Sequence, residues 1–317
     1  MKATTKIHLD TDLGGDIDDL CALAMLLRWP DVELVGITTV SDDGGRRAAY
    51  ARYVLGLENR HDIPVAAGAD VSQGFYRDSL HYPEEERYWP EQIVPAPNPA
   101  TEAIDLLKNS IEQGATIVAI GPYTNLYLLD TQYPGILAQA KLFLMGGYVY
   151  PTRPGFPNWG NNTDYNIQVD VRSAKHVIEK SHPTVVPLSV TVETYLRRAY
   201  LDDLRASGAL GQLIAQQAEA FAVDQQNEAQ YVETWEQLPE DTINFQHDPL
   251  ACAIALGWNE GVEIEEVHLV VKVEKGWLVE RVDPSGRPVS LVTKVDGARF
   301  SEFWLERVTR FESKPQA

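Results

Sequence analysis

The sequence predicts an α/β protein with a mostly parallel open sheet flanked by helices. Short apolar runs rich in β-branched residues alternate with helical patterns through most of the chain, as in proteins built from strand–helix–strand units. From about residue 200 this alternation gives way to further helices and to antiparallel strands. No linker rich in Gly, Ser or Pro divides the 317 residues, so we expect a single domain over residues 1–317.

The parallel part of the sheet is predicted from short apolar runs, each followed by a helical pattern. In the first helix, Leu20, Leu23 and Leu27 recur at helical spacing and predict one face packed on the sheet. The predicted strands are Ile7–Leu9, Leu34–Val40, Pro64–Ala66, Ile117–Ile120, Leu142–Leu144 and Thr184–Pro187. The predicted helices are Asp19–Arg28, Arg46–Leu57, Thr101–Gln113 and Ser173–Lys180.

The C-terminal part follows other patterns. Leu204–Glu228 is predominantly helical, and Pro249–Leu256 is a short apolar helix. Val267–Val295 alternates as antiparallel strands do, with a turn at Pro284-Ser285-Gly286. The stretches Val71–Asn98 and Tyr148–Asn162 are long, irregular and aromatic, which is typical of functional loops.

Charge restricts the class of partner. The chain has 46 acidic and 27 basic residues, a formal charge of −19, so it would repel a nucleic acid or an anionic membrane surface. A neutral or cationic small ligand, or a metal ion, fits better. Cys21 and Cys252 lie in predicted buried helices, which favours unpaired thiols and a reducing cytoplasm. No apolar run approaches the roughly 20 residues of a membrane span, and the N-terminus shows no export signal.

The first strand is followed by five carboxylates in ten residues, in the segment Asp10–Asp19. The carboxyl ends of parallel strands are where open α/β sheets bind ligands, and Gly14-Gly15 allow a tight turn there. Clustered carboxylates repel one another unless a cation lies between them. Because the donors are all oxygens, the segment predicts a hard ion, Ca²⁺ or Mg²⁺.

Helix capping is the alternative interpretation of these acids. Asp18 and Asp19 precede a helix, where negative charge favours the N-terminus, but a cap needs one acid and not five. Asp248 is likewise placed to cap the helix that Pro249 begins. The other interpretation of Asp248 is that it completes a cation shell, with His247 as a proton donor.

Gly121-Pro122-Tyr123-Thr124-Asn125 also follows a predicted strand. A main-chain carbonyl in this turn could be a further oxygen ligand, since Ca²⁺ accepts such donors. A plain strand-to-helix turn explains the segment equally well.

In five segments the chain resembles the inosine-uridine preferring nucleoside hydrolases. The order and spacing of the segments agree with that family over about residues 5–256, and the first and last segments are the most specific. The segments are Asp10–Leu23, Gly36–Val40, Gly121–Asn125, Met145-Gly146-Gly147 with Asp164–Ile167 and Val169-Asp170, and His247–Ala251. The resemblance implies a nucleoside hydrolase fold and an N-glycosidase of nucleoside salvage that releases ribose and free base with one bound Ca²⁺.

The resemblance also implies the site residues. The ion would be held by Asp12, Asp19, the Thr124 main-chain oxygen and Asp248. Asp12 would also be the base for the attacking water, and Asp18 would hold a ribose hydroxyl. Asp164 and Asn166 would bind the 3′ and 5′ side of the ribose.

The departing base needs its own partners. A protonated His247 could supply a proton, and Tyr231 and Trp235, spaced i and i+4 on a predicted helix, are candidates to hold the ring. Packing in the core or on the surface is the alternative for those two aromatic residues.

Several positions depart from the family pattern. Leu13 replaces a proline, and two extra residues precede Asp18, so Asp16 competes with Asp18 for the ribose hydroxyl. Asp43 stands where an asparagine near the sugar is expected, and Asp164 is one methylene shorter than the expected glutamate. The asparagine expected before Asp164 has three candidates, which are Asn158, Asn161 and Asn162. A glycine-rich histidine motif is not evident in the Val71–Pro90 loop, although His81 lies there.

Two other functions compete with hydrolysis. Asp10-Thr11-Asp12 resembles the nucleophile motif of haloacid-dehalogenase-type phosphatases, but Gly14 stands where that pattern has threonine or valine. A non-catalytic ribose- or nucleoside-binding homologue is the second alternative. The resemblance further implies a small-molecule ribonucleoside as substrate and a homodimer or homotetramer as the assembly.

Overall fold

A nine-stranded mixed sheet forms the centre of the molecule. The computed structural model describes residues 4–71, 85–225 and 235–310. The strands, numbered β1 to β11 in chain order, are Thr5–Thr11, Val32–Thr39, Val65–Ala67, Thr116–Ala119, Lys141–Met145, Thr184–Val186, Tyr195–Arg197, Thr242–Phe245, Glu263–Glu274, Trp277–Val282 and Arg287–Lys294. The large sheet has the order β10-β9-β11-β6-β5-β4-β1-β2-β3, and β7 pairs with β8 in a separate ribbon.

Helices cover the sheet and connect its parallel strands. They are numbered α1 to α12 in chain order: Asp18–Leu27, Arg46–Leu57, Glu85–Tyr88, Ala100–Glu112, Thr124–Gln132, Tyr165–Gln168, Val171–Lys180, Leu188–Thr191, Leu201–Ala206, Ala209–Gln225, His247–Ala255 and Gly297–Thr309. Within the described residues, no helix has both the length and the apolar character that a membrane span requires.

The pairing confirms the predicted class. Across the large sheet, from the edge strand β3 as far as β11, every pair of neighbouring strands is parallel. The strand β9 pairs antiparallel with β11 and with β10. Each predicted parallel strand is present, with ends shifted by at most two residues. The C-terminal strands continue the same sheet, because β11 lies parallel beside β6 through Ser290 and Leu291.

Buried side chains cover both faces of the sheet. On one face, α1 is buried over its whole length and packs against α11, so the two segments richest in acids meet although they lie far apart in the chain. Trp304 of α12 closes this layer, since its indole Nε1 donates to the Cys21 carbonyl at 3.1 Å. A second apolar cluster, which includes Leu144, Ile167 and Leu291, fills the other face.

The predicted helix over Leu204–Glu228 is two helices. Gly208 separates α9 from α10 with a φ of +112°, a conformation that glycine adopts at little cost. The helix α10 is described as far as Gln225, and Glu228 lies outside the described residues.

Candidate active site

The acid segment after β1 turns sharply before it becomes α1. Gly14 has a φ of +110°, and a Cβ there would lie 2.5 Å from Cδ2 of the Tyr50 ring. Only glycine fits both the left-handed backbone and the close approach of Tyr50. The turn lets Asp12 follow the strand while Asp18 and Asp19 begin the helix.

The packing of α1 against α11 brings three predicted site residues together. Asp18, Asp19 and Asp248 each offer a carboxylate oxygen, and these atoms all lie within 4.8 Å of one another. All three side chains are buried. The structure therefore joins the first and last acidic segments of the sequence at one place.

These acids do not cap the helices that they begin. Ile17 is the N-cap of α1 and Gln246 the N-cap of α11, and neither makes a side-chain capping bond. Asp18 Oδ2 accepts a long bond, 3.4 Å, from the backbone N–H of Asp248, and Asp19 Oδ1 accepts from the Thr11 hydroxyl. The carboxylates face one another with few donors to offset their charge.

Burial and mutual repulsion dominate the electrostatics of the cluster. Burial is the main reason why the pKa of Asp18 lies well above its usual value, and the neighbouring Asp16 and Asp19 raise it further. The pKa of Asp248 is raised by burial first and then by Asp18 and Asp19. Two ionised carboxylates 4.8 Å apart, the upper limit of these separations, repel by roughly 3.5 kcal/mol at an effective dielectric constant near 20.

A divalent cation fits this donor set. The ligand atoms are buried oxygens at mutual distances that a single ion spans, and no sulfur or imidazole belongs to the group. The residues therefore match a hard cation by the chemistry and spacing of their donors.

Asp12 borders the turn that follows β4. A Cβ on Gly121 would lie 2.8 Å from Asp12 Oδ1, so glycine leaves room for the carboxylate. Burial raises the pKa of Asp12, and the Arg47 guanidinium opposes that rise. Thr124 is buried at the first position of α5, where its hydroxyl donates to Asp170 Oδ2 at 2.7 Å.

A buried hydrogen-bond chain that the sequence did not reveal holds Asp10. Its Oδ1 accepts from Thr38 Oγ1 at 2.6 Å and from Asn125 Nδ2 at 2.8 Å, while Oδ2 has no partner among the described residues. His8 Nε2 lies 3.0 Å from Thr38 Oγ1. Burial raises the pKa of Asp10 to about 7 and lowers that of His8 to about 3. The residues of this chain lie on three separate elements, and their amino-acid types alone do not predict that they meet.

His247 stands in an aromatic corner beside the cluster. Its Nδ1 lies 2.7 Å from the hydroxyl of the buried Thr191, and its ring stacks on Phe245 at 5.5 Å between centroids. Trp159 packs edge-on against Phe245 at 5.0 Å and lies 6.4 Å from the His247 ring. Burial lowers the pKa of His247 to about 3, so the ring is neutral in this state. Sequence reasoning did not identify Trp159, Phe245 or Thr191, although the aromatic Tyr148–Asn162 loop was a signal.

Asp16 lies beside the cluster and has hydrogen-bond donors of its own. Its Oδ1 accepts from Asn244 Nδ2 at 2.8 Å and from the backbone N–H of Ile17 at 2.5 Å, and burial raises its pKa to about 6. Asp43 is exposed in the turn before α2, and its neighbour Asp42 is the buried residue. The substrate roles of Asp16 and Asp43 stay predictions.

Asp164 and Asn166 are buried at the end of β5. Asp164 accepts from the backbone N–H groups of Ile167, at 3.1 Å, and Gly147, and burial raises its pKa to about 6. The Asn166 amide donates to the Ile120 carbonyl at 2.8 Å.

The three asparagine candidates before Asp164 differ in their surroundings. Asn158 and Asn162 are exposed, whereas Asn161 donates to the Leu278 carbonyl of β10 at 3.1 Å. Their sugar contacts stay predictions.

The prediction of a helix that carries Tyr231 and Trp235 is wrong at Trp235. Trp235 is half-buried in a non-helical segment, where its carbonyl accepts from Leu238 and the next residues join the Gly155 loop through Gln237. The bonds across to that loop replace helical ones. Tyr231 lies outside the described residues.

Comparisons with known proteins identify relatives of this chain. Over 225 residues the chain is 34% identical to the non-specific ribonucleoside hydrolase RihC of Salmonella paratyphi A, covering 68% of this chain and 71% of that protein. It is 30% identical over 215 residues to the pyrimidine-specific ribonucleoside hydrolase RihA of the same organism, covering 64% and 66%.

Solved structures show the same fold. A purine-preferring ribonucleoside hydrolase from Gardnerella vaginalis superposes with a TM-score of 0.78 at 22% identity, over 97% of this chain and 99% of that one. The family model described as inosine-uridine preferring nucleoside hydrolase matches residues 7–302. This chain therefore belongs to the inosine-uridine preferring nucleoside hydrolase family.

Proposed function

We propose that this nucleoside hydrolase binds one Ca²⁺ at its acid cluster and uses Asp12 as the base that activates water against the N-glycosidic bond of ribonucleosides. The observation that carries the proposal is the meeting of Asp18, Asp19 and Asp248, within 4.8 Å, at the carboxyl edge of the sheet. Buried carboxylates with few donors are costly, and a site for a cation explains why they are kept together.

The residues proposed to hold the ion are Asp12, Asp19, Asp248 and the main-chain oxygen of Thr124. When bound, the cation supplies charge that lowers the pKa of the attacking water. Asp18 belongs to the same cluster and is proposed to accept a hydrogen bond from a ribose hydroxyl. Asp164 and Asn166, buried beyond β5, would contact the far side of the sugar.

Asp12 is proposed to take the proton of the attacking water. The water oxygen then bonds to the anomeric carbon, and the bond from that carbon to the base nitrogen breaks, with its electron pair leaving on the base. Positive charge develops on the sugar as this bond weakens, as in other glycoside hydrolyses. The surrounding carboxylates stabilise that charge in a site where few water molecules compete.

His247 is proposed to assist the departing base. Its ring is neutral in the structure, with a pKa near 3. Negative charge that develops on the leaving base beside the ring would favour the protonated imidazole, because an opposite charge nearby raises a histidine pKa. Trp159 and Phe245 border the same corner and offer apolar surface to the base.

The test is a panel of purified ribonucleosides assayed for reducing sugar, with and without a chelator. Release of ribose that the chelator abolishes and Ca²⁺ restores is the expected result. Phosphate release from phosphomonoesters would instead support the phosphatase, and tight nucleoside binding without turnover would support a binding protein.

The same panel tests His247. His247→Ala is expected to slow hydrolysis of nucleosides by about 10²-fold and to leave a nitrophenyl riboside, whose leaving group needs no proton, within a few-fold of wild type. An equal loss on both substrates would remove His247 from protonation of the base. Size-exclusion chromatography with light scattering tests the proposed homodimer or homotetramer.

A further inference from the structure

One arginine at the start of α2 lies against the acid segment. Arg47, in the first turn of α2, is 2% exposed. Its Nη1 donates to the backbone carbonyls of Asp12 and, at 3.2 Å, of Leu13, and its Nε donates to the Ser41 carbonyl at 2.9 Å. The guanidinium thus joins the turn after β1 to the turn after β2.

The position of this guanidinium is fixed by the start of α2. Asp42 accepts from Thr39 Oγ1 at 2.6 Å and from the backbone N–H groups of Arg47 and Ala48 at 2.9 and 3.0 Å. The carboxylate of Asp42 therefore anchors the helix at the end of β2, next to β1. One turn along α2, the Tyr50 ring packs on Gly14 and holds the same acid segment.

The charge of Arg47 acts on the proposed cation ligands. Its guanidinium lowers the pKa of Asp12 and of Asp19, against the effect of burial on both. A positive charge that acts on these two carboxylates offsets part of their repulsion, as a bound metal ion would. The structure therefore has a positive charge at the cluster that does not depend on metal.

We propose that Arg47 is the resident cation of the acid cluster, and that its charge stabilises the folded chain when no divalent ion is bound. The inference rests on the cation site of the proposed function and goes beyond it by assigning a role to a residue outside the ligand set. It has a specific consequence. The charge of Arg47 and the charge of Ca²⁺ should substitute for one another in stabilising the fold.

The experiment compares Arg47→Met with Arg47→Lys by thermal unfolding, in EDTA and in saturating Ca²⁺. Both variants lose the planar guanidinium that donates to three backbone carbonyls, but only the lysine variant keeps the positive charge. In EDTA we expect the methionine variant to unfold at least about 5 °C below the lysine variant, and in Ca²⁺ we expect less than half of that gap.

Arg52 supplies the matched control. It lies on the same helix and also donates to backbone carbonyls, of Val65 at 2.8 Å and of Ala96 at 3.4 Å. Any gap between Arg52→Met and Arg52→Lys should be the same in EDTA and in Ca²⁺, because its carbonyl partners belong to β3 and to the segment before α4.

Each outcome decides the inference. If Arg47→Met folds only in Ca²⁺, the proposal is supported, and if it is unfolded in both conditions while Arg47→Lys folds, the proposal is overturned. An equal gap in EDTA and Ca²⁺ overturns the role of Arg47 alone, provided that the wild-type midpoint responds to Ca²⁺. A wild-type chain whose midpoint and calorimetric titration show no response to Ca²⁺ overturns the cation site and this inference with it.

Discussion

Two groups of aspartates stand at helix starts in this molecule and differ in what surrounds them. The cluster aspartates Asp18, Asp19 and Asp248 each lie in the first turn of a helix, and Asp12, which we group with them as a proposed ligand, lies in the turn before α1. Apart from Asp164, which caps α6 and also belongs to the proposed sugar site, the capping aspartates are Asp42, Asp170 and Asp296, and each of these three accepts a backbone N–H from the first turn of α2, α7 or α12. Asp18, Asp19 and Asp248 occupy the first turn of their own helices and, among the described residues, accept no backbone N–H from that turn, although Asp18 accepts one from Asp248 of α11.

The comparison shows that position before a helix does not decide the role of an acid. A capping carboxylate is stabilised by donors that its own helix provides. A cluster carboxylate faces other carboxylates, and its charge has to be offset from elsewhere. Removing a cap should therefore cost stability, whereas neutralising a cluster residue should cost activity.

Asp12→Asn should have the largest effect on activity. We expect turnover of ribonucleosides to fall by about 10³-fold or more, because the amide cannot accept the proton of the attacking water. The variant should remain folded, and its midpoint in EDTA should equal or exceed that of wild type, since a buried charge is removed. Near-wild-type turnover in purified variant would remove Asp12 from the mechanism.

Asp170→Ala tests the capping aspartates and should lower stability. Its carboxylate accepts from Ser173 N at 3.0 Å and from the hydroxyls of Ser173 and Thr124 at 2.7 Å, all buried. We expect the free energy of unfolding to fall by about 2–3 kcal/mol, because the helix loses its cap and buried donors lose their acceptor.

The size of the Ca²⁺-induced rise in midpoint is the control for Asp170→Ala. It should match wild type if the capping and cluster aspartates are separate. A smaller rise would show that Asp170 also positions the Thr124 carbonyl, and the two groups would then be coupled.

The sequence allowed the fold to be predicted well where local pattern and tertiary packing agree. The helix Arg46–Leu57 has the predicted bounds, and the buried parallel strands were found because each is a short apolar run beside a helix. The ribbon of β7 and β8 was not predicted, because Tyr195–Arg197 and Thr242–Phe245 are too short for a periodic signal and pair across a long separation.

The site was predicted in part for a similar reason. The density of acids in Asp10–Asp19 is visible in one segment, and the resemblance connected it to Asp248. Arg47, Thr191 and Trp159 are different, because their importance comes from contacts between distant elements. Nothing in the residue types around Arg47 distinguishes it from Arg46 beside it.

Asp18→Asn compared with Asp16→Asn tests which aspartate of the acid segment binds the ribose hydroxyl. Asp16 already accepts hydrogen bonds from Asn244 and Ile17, whereas Asp18 lies in the cluster. We expect the KM for ribonucleosides to rise about tenfold in Asp18→Asn and about twofold or less in Asp16→Asn, since a single hydrogen bond to a charged group contributes about 1.5 kcal/mol or more. The opposite order would assign the ribose hydroxyl to Asp16.

The dependence of Ca²⁺ stabilisation on pH is the smallest and most discriminating effect. Two aspartates of the acid segment have raised pKa values in the folded chain, about 7 for Asp10 and about 6 for Asp16. Without metal, the contribution of these two groups to the free energy of unfolding therefore falls as pH rises from about 4 through those values.

The histidines act in the opposite direction. Burial lowers the pKa of His8 and His247 to about 3, so their contribution to stability is present above about pH 6.5 and is lost as pH falls. Their contribution is expected to be the same with and without Ca²⁺, so it cancels in the difference between the two midpoints.

Ca²⁺ requires ionised ligands, so its effect on the unfolding midpoint should grow as protons leave the cluster. We expect the midpoint difference between Ca²⁺ and EDTA to be about 5 °C larger at pH 8 than at pH 5, and to be small at both in Asp248→Asn. A difference independent of pH would mean that protons and Ca²⁺ do not compete for these carboxylates, and the cluster aspartates would then differ from the capping ones in packing alone.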